Sequence, residues 1–280
     1  MLNIYIMLVL SANLTIGLAN LLTMCQAAFY GIGAYIGTLF LTEFNLPFVA
    51  IIAIVSLVTG LFSFVVSYAS VKLKGDYFVL ATMGFQLIVY TILYNWKSVT
   101  RGSNGIDVPD IKILGIWEIS GIYSYLALSI VLAAAVILLF VSLHDSPYGR
   151  ELRAIKADEL SVQSMGRDTA TAKSWAFFIS AAVAGVAGVL YASFMGYIHP
   201  NSFTLNESIF IISALFIGGI GNVKGPVFGA LFVVLLPELL RFVGLPAAQA
   251  ANLRQIIYGL ALILVVYFRP RGLFGETDLK

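Results

Sequence analysis

Long uncharged apolar runs, separated by short polar joints, follow one another along almost the whole chain. They predict nine membrane spans, near residues 2–22, 25–42, 47–70, 77–95, 121–143, 174–197, 208–221, 225–240 and 254–268. Most runs are long enough, since crossing roughly 30 Å of hydrocarbon takes about 20 apolar residues at 1.5 Å each. Backbone groups in lipid must bond within the chain, which favours helices. The pattern predicts an all-α integral membrane protein with one transmembrane domain over residues 1–280, a polytopic bundle of about 8 to 10 helices.

Two joints between spans are unusual. The runs 208–221 and 225–240 are short and share the stretch GGIGNVKGPVFGA (218–230), in which glycines interrupt a helix and Pro226 suits the first turn of a new one. These runs are half-helices, a re-entrant pair or two full crossings, and a simple tight hairpin is the alternative to an interrupted helix at their joint. Residues 22–25 predict a very tight turn between the first two spans.

Small residues recur four positions apart in SAAVAGVAG (180–188). Ala181 is followed by Gly185, and Ala184 by Gly188, so one helix face is nearly bare. Backbones can approach closely at such a face, which is the usual route to tight helix packing in lipid. The stretch predicts close packing within the bundle.

The composition excludes a soluble globule and several kinds of chemistry. The chain is 60% hydrophobic and 11% charged, whereas a soluble domain carries about 25% charged residues. A net charge of +2 offers no basic stripe for nucleic acid. The single Cys25 excludes an internal disulfide, and His144 and His199 stand alone, so no metal site or cofactor is predicted.

Charged residues concentrate between the fifth and sixth spans, where residues 146–173 hold 9 of the 30 charged side chains. Alternating the loops across a membrane puts 11 Lys and Arg on that side and 5 on the other. Cytoplasmic loops are richer in these residues, so we expect segment 144–172 and the C-terminus to face the cytoplasm. Leu152 and Ile155 share one helical face, which predicts a folded helix that Gly166 is suited to end.

The opposite side receives loop 96–120, and nine crossings would also put the N-terminus there. Its sequence TRGSNGIDVPD is rich in turn-forming residues. The loop is either a solvated connector or a dock for an extracellular partner.

Energy-coupling and catalytic groups are missing from the predicted spans. No Asp, Glu, Lys, Arg or His lies near the middle of any of them, which weighs against a proton-driven transporter. Sodium coupling through broken helices stays open. We find no H-E-x-x-H and no G-x-S-x-G, so no catalytic residue is predicted. The stretch GGIGNVKG is not a phosphate loop, because Val223 precedes Lys224 and Gly225 follows it.

Segments in a fixed order make the chain resemble permease subunits of the branched-chain amino acid family of ABC importers (LivH/LivM type). They are QAAFYGIGAY, VKLKGDYFVLATMGF, TRGSNGI, SPYGRELRAIKADE followed by SMG, KSWAFFISAAVAGVAGVLY, HPNSF, GGIGNVKGPVFGA and FRPRGLFG. The resemblance implies a subunit of the bacterial cytoplasmic (inner) membrane, surrounded by lipid. It also implies three kinds of partner: a second homologous permease, two cytoplasmic ATPase subunits and an extracytoplasmic solute-binding protein.

In this family the polar cytoplasmic stretch supplies the helix that sits on the ATPase. The resemblance assigns that coupling role to the matching motif positions Gly149, Arg150, Arg153, Ala154, Asp158, Glu159 and Gly166. Branched-chain or related small amino acids are the expected solutes. Permeases for urea and short amides share the motifs, so these solutes are an alternative. An ion-coupled secondary transporter and a membrane-embedded enzyme or channel are the rival classes.

Polar or small residues inside the spans are candidates for the translocation path. They are Gln26, Gly31, Gly33, Thr82, Gln86 and Gly219. Polar groups in hydrocarbon need partners, so each could equally join helices to one another.

Overall fold

The structure is a computed structural model that describes residues 1–44, 46–73, 75–109, 111–113, 117–119, 121–241, 247–268 and 272–274. These residues form twelve α-helices: α1 (Leu2–Ala12), α2 (Gln26–Phe44), α3 (Phe48–Lys72), α4 (Asp76–Asn95), α5 (Lys97–Thr100), α6 (Ile122–Asp145), α7 (Pro147–Ala157), α8 (Glu159–Ser164), α9 (Thr169–Met195), α10 (Leu205–Gly218), α11 (Lys224–Arg241) and α12 (Ala247–Phe268). Four short strands are β1 (Ile106–Asp107), β2 (Ile111–Ile113), β3 (Trp117–Ile119) and β4 (Tyr197–Ile198).

Apolar helices long enough to cross a membrane dominate the described residues. By length and composition there are six such segments: Gln26–Phe44, Phe48–Ala69, Asp76–Asn95, Ile122–Asp145, Thr169–Met195 and Pro200–Gly218. Three shorter apolar helical segments are Leu2–Leu18, Lys224–Leu236 and Ile256–Val265. The predicted fold class, a polytopic α-helical membrane protein, is confirmed.

Helices α2 and α9 form the centre of the bundle and are packed backbone to backbone. A Cβ atom on Gly33 would lie 2.3 Å from the carbonyl oxygen of Gly185. One on Gly188 would lie 2.1 Å from the carbonyl oxygen of Tyr30. Both distances are far below van der Waals contact, so the glycines permit the approach. The close packing predicted from SAAVAGVAG is confirmed.

The first predicted span is interrupted. Helix α1 continues as a π-helical turn (Asn13–Leu18), and the non-helical stretch 19–25 then leads to α2. The first predicted span, near residues 2–22, ends four residues earlier, at Leu18, and the very tight turn predicted at 22–25 is wrong, because the connection has seven residues. Hydroxyls of Ser11 and Thr15 donate to backbone carbonyls three residues earlier. Such bonds compete with regular helix geometry.

Helices α10 and α11 form a tight antiparallel hairpin. Added Cβ atoms on Gly218 and Gly229 would lie 2.0 Å from the carbonyl oxygen of Gly225 and 1.9 Å from that of Ala214. The backbone at Gly219 has φ +108°, a conformation suited to glycine. Residues 272–274 return to this hairpin, where the Phe274 amide donates to the Gly218 carbonyl at 2.9 Å. The simple tight hairpin, one alternative for this region, is confirmed, and whether its two helices cross fully or form a re-entrant pair stays a prediction.

The connections between the helices lie at two ends of the bundle. The polar-segment end, named for segment 144–172, also holds the α3–α4 joint, because Leu73 and Asp76 line a cavity together with Lys156. At the opposite end, β1 pairs with β4, and the His199 ring lies 3.0 Å from the Ser103 carbonyl oxygen. The turn chemistry predicted for TRGSNGI is confirmed there, since Arg101, Gly102 and Gly105 have positive φ.

Parts of several predictions lie outside the described residues. The basic residues Lys74, Arg269, Arg271 and Lys280, which contribute to the orientation count, are among them. So are positions 110, 114–116 and 120 of the loop 96–120.

Candidate functional site

The polar segment begins with a capped amphipathic helix. The Ser146 hydroxyl accepts a hydrogen bond from the Gly149 amide at 3.1 Å, and Pro147 occupies the first position of α7. This is standard chemistry for a helix start. Leu152 and Ile155 are both buried, so the helical face predicted from their spacing is confirmed.

Helix α7 lies directly on the last turn of α6. A Cβ atom on Gly149 would be 2.2 Å from the Leu143 carbonyl oxygen, so only glycine fits. Arg150 Nη1 donates to the Asp145 carbonyl at 2.8 Å, and Arg153 Nη1 donates to the His144 carbonyl at 2.9 Å. Both guanidinium groups thus bond carbonyls at the C-terminal end of α6, where a helix has free acceptors.

The acidic residues of the segment also have partners within the chain. Asp158 caps α8 by accepting from the Leu160 amide at 3.0 Å and from Ser161. Hydrogen bonds from Ser161 and from these amides hold the pKa of Asp158 below its usual value. Glu159 forms an ion pair of 2.6 Å with the largely buried Lys173, which pins the segment to α9. Gly166 lies two residues past α8 with φ +78°.

The outer surface of the segment remains uncovered. Arg150 and Ala154 of α7 are exposed. Two large apolar side chains further along the segment are also exposed, Leu160 to 69% and Met165 to 80%. Both lie outside the candidate membrane spans. The segment is therefore fixed on its inner side and presents apolar groups on its outer side.

Inside the bundle, polar side chains surround the break between α1 and α2. Gln26 begins α2, and its Nε2 donates to the Ser180 hydroxyl of α9 at 3.1 Å. The Ser180 hydroxyl in turn donates to the Ser11 carbonyl at 2.8 Å. All three residues are buried. These bonds satisfy polar groups that an interrupted helix would otherwise leave unpaired in hydrocarbon.

Helices α4 and α10 complete the surroundings of the break. The Thr82 hydroxyl accepts from the Met24 amide at 3.0 Å. The Ser208 hydroxyl accepts from the Ala27 amide at 3.0 Å and lies 3.4 Å from Gln86 Oε1. Free amides before and in the first turn of α2 are thus paired with side chains of two other helices.

The six path candidates therefore fall into three groups. Gln26, Thr82 and Gln86 lie together around the break, buried and hydrogen-bonded within the chain. Gly31 faces Phe203 and Gly33 faces α9, so both serve close packing. Gly219 lies apart from them, in the α10–α11 turn. These contacts match the alternative of helix-to-helix bonding, and a role in the path stays a prediction.

Two polar residues that sequence reasoning missed stand out. Glu207 of α10 accepts a hydrogen bond from the Tyr5 hydroxyl at 2.6 Å, inside the candidate span Pro200–Gly218. The predicted span began at 208 and left Glu207 just outside it, whereas the structure places Glu207 in the first turn of α10 and within the candidate span. The other is Asn13, whose Oδ1 accepts from the Gly221 amide at 3.1 Å. The sequence feature that could have identified Glu207 and Asn13 is the same: each is a polar residue within or beside an apolar run.

Among the described residues, no three His, Cys, Asp or Glu side chains come together as ligands of a metal ion would. The fold and the site define a polytopic α-helical membrane protein with a folded polar segment at one end. Residues 1–266 match the family described as "Branched-chain amino acid transport system / permease component", and the chain belongs to this family.

Several relatives of the chain are also named as branched-chain amino acid transport permease proteins. The chain is 31% identical to the "High-affinity branched-chain amino acid transport system permease protein LivM" of Salmonella typhimurium, over 98% of this chain and 68% of that protein. It is 30% identical to the "Probable branched-chain amino acid transport permease protein LivM" of Methanocaldococcus jannaschii, over 75% of this chain and 63% of that protein. It is 28% identical to the LivH permease protein of Escherichia coli, over 67% and 61%. No solved structure matches the chain.

Proposed function

We propose that the chain is a permease subunit of an ATP-binding cassette importer for branched-chain or related small amino acids in the bacterial cytoplasmic (inner) membrane. Two cytoplasmic ATPase subunits hydrolyse the ATP, and an extracytoplasmic binding protein delivers the solute. The chain pairs with a second homologous permease. Membership of the permease family supports this proposal, as does similarity to both LivM and LivH proteins.

The exposed apolar side chains of the polar segment carry the coupling part of the proposal. Leu160 and Met165 are exposed and lie outside the candidate spans. Large apolar side chains exposed outside the membrane spans are a feature of protein interaction surfaces. The partner we propose for them is an ATPase subunit.

The orientation of the chain in the membrane is proposed from the basic residues at the two ends of the bundle. Lys156, Lys173 and Lys224 belong to the polar-segment end, whereas Lys97 and Arg101 belong to the opposite end. The excess of basic residues favours a cytoplasmic location for the first group. Residues 272–274 pack on the α10–α11 turn at the polar-segment end, so the C-terminus is proposed to be cytoplasmic too.

Reconstitution tests the proposal. The chain is co-purified with its partner permease and ATPase subunits, placed in liposomes, and supplied with the binding protein and a panel of labelled amino acids and urea. We expect saturable, ATP-dependent uptake of branched-chain amino acids. Uptake driven by a proton or sodium gradient without the ATPase subunits would instead establish a secondary transporter. This outcome is tested because Glu207, an ionisable residue, lies inside a candidate span.

Variants of the exposed surface test the ATPase contact. Gly149 and Glu159 are unsuitable, because substituting them would disturb contacts within the chain. Leu160→Asn and Met165→Gln keep similar side-chain size but make the surface polar, and we expect both to lower ATP-dependent uptake. Arg167→Lys is the matched control, because it changes an exposed polar residue of the same segment and keeps its charge. Parental uptake by the Leu160 and Met165 variants at equal membrane abundance would refute the contact.

A further inference from the structure

One long-range polar contact joins α7 to the helix break in the bundle. Lys156, near the end of α7, donates from its Nζ to the carbonyl oxygen of Gly17 at 2.8 Å. Gly17 belongs to the π-helical turn Asn13–Leu18. The two residues are 139 positions apart in sequence. The Lys156 side chain is about half-buried, and this burial lowers the pKa of its ammonium group.

The acceptor carbonyl lies where α1 loses regular geometry. After Gly17 the backbone closes through irregular bonds, such as that from the Leu21 amide to the Thr15 carbonyl at 2.9 Å. The chain then remains non-helical until Gln26. Carbonyls at the end of a helix are free to accept, and a cation is favoured there. The ammonium of Lys156 supplies that cation from another part of the fold.

The π-helical turn is held firmly on its other side. Asn13 Nδ2 donates to the Asn222 carbonyl at 2.7 Å, and Asn13 Oδ1 accepts from the Gly221 amide. The turn is thereby attached to the α10–α11 hairpin. Turns of π-helix within α-helices often occur at functional sites.

Space is available beside the contact. A cavity of about 500 Å³ is lined by Leu21 and Leu22 of the non-helical stretch and by Lys156 and Ala157 of α7. The stretch is therefore packed against α7 on only part of its surface. A small displacement of α7 has room to reposition it.

We infer that Lys156 is a positioning residue for transport, which ties α7 to the helix break so that motion of α7 repositions residues 19–25 and the first turn of α2. This inference rests on the proposed function. The first turn of α2 carries Gln26, so the movement would reach the buried polar groups around the break. A lysine that only held α7 in place would not alter how much solute crosses for each ATP hydrolysed.

The first experiment measures that ratio in the complete reconstituted complex with its binding protein. We expect Lys156→Met to lower solute imported per ATP by at least about fivefold, the lower bound for typical coupling between sites. Lys156→Arg keeps a cationic donor and should restore most of the ratio. Lys224→Met is the control, because it removes an exposed lysine near the same end of the bundle. A parental ratio in Lys156→Met overturns the inference.

The second experiment observes the non-helical stretch directly. Leu22→Cys is introduced together with Cys25→Ala, and its labelling by a thiol reagent is compared between nucleotide-free and ATP-trapped complexes. We expect the labelling rate to differ between these states when Lys156 is present and to be the same in Lys156→Met.

The outcomes separate the inference from the proposed function. If the Lys156→Met variant fails to accumulate, the inference is tested by the labelling rates of Leu22→Cys in the complex that retains Lys156. Equal rates in both nucleotide states then overturn the inference, and unequal rates support it. Absence of ATP-dependent uptake by the unaltered complex is a different failure. It contradicts the proposed function before any variant is made.

Discussion

Replacing Gly188 by alanine should force α2 and α9 apart. The new Cβ atom would lie 2.1 Å from the Tyr30 carbonyl oxygen and 2.7 Å from the Ala34 amide nitrogen. A close carbon–oxygen contact in proteins is about 3.3 Å, so the helices must separate by roughly 1 Å. The neighbours are backbone atoms, which cannot rotate out of the way as a side chain can.

The expected cost follows from two opposing effects. Overfilling a well-packed interior costs about 1–3 kcal/mol, and a clash with backbone belongs in the upper half of that range. Alanine favours a helix over glycine by up to about 1 kcal/mol, which offsets part of the cost. We expect a net loss of about 1–2 kcal/mol.

Gly84→Ala provides a matched control on α4. A Cβ atom on Gly84 would meet nothing within 4 Å, so this variant gains helix propensity without a clash. Thermal unfolding of the purified chain in detergent micelles measures both variants. Gly188→Ala should unfold about 2–8 °C below the parent, and Gly84→Ala at or slightly above it. Equal midpoints for the two variants would refute the argument from backbone contact.

Three further predictions concern polar contacts. Glu159→Gln should lower thermal stability more than Lys173→Met does. The first variant leaves the buried ammonium of Lys173 without its ion-pair partner, whereas the second leaves the carboxylate of Glu159, which water reaches more easily. Asn13→Ala removes two interhelical bonds worth about 0.6–1.7 kcal/mol each, so hydrogen exchange at the α10–α11 turn should accelerate. Asp158 has a lowered pKa, so its cap on α8 is complete above the usual Asp value of 3.8 and is lost as the pH falls through the lower folded pKa. Amide exchange of α8 should therefore be equally protected at neutral and mildly acidic pH.

Each of these three predictions has an outcome that would contradict it. Equal destabilisation by the two ion-pair variants would show that burial of Lys173 has no special cost. Unchanged exchange in Asn13→Ala would mean that the turn is held by its glycine packing alone. Loss of protection in α8 at mildly acidic pH would show that Asp158 does not provide the cap.

Local pattern predicted those features that depend on residues close in sequence. The four-residue spacing of Ala181 and Gly185, repeated by Ala184 and Gly188, was sufficient to predict the close packing of α9, since a helix with small residues at this spacing presents a bare face. Leu152 and Ile155 likewise revealed the inner face of α7. Both inferences need only the period of the helix, and no knowledge of the partner.

The helix break could not be predicted in the same way. Its polar residues obtain their partners from distant segments, such as Ser180 for Gln26 and Gly221 for Asn13. Hydropathy alone extended α1 through Leu22, because uncharged polar residues hardly lower the average of an apolar run. The coupling residues were proposed from family resemblance, and the structure adds that Arg150, Arg153, Asp158 and Glu159 have partners within the chain.

The return of residues 272–274 to the α10–α11 hairpin has a consequence for biosynthesis. The Gly218 carbonyl receives its bond from the Phe274 amide, which is translated 56 residues later. At about 5–20 residues per second, the ribosome needs several seconds to supply that amide. Throughout this interval the nascent hairpin lacks its last partner, and the whole of α12 must be translated before the partner can arrive. A ribosome that stalls between these two positions would thus leave an open hairpin for the quality-control proteases of the membrane.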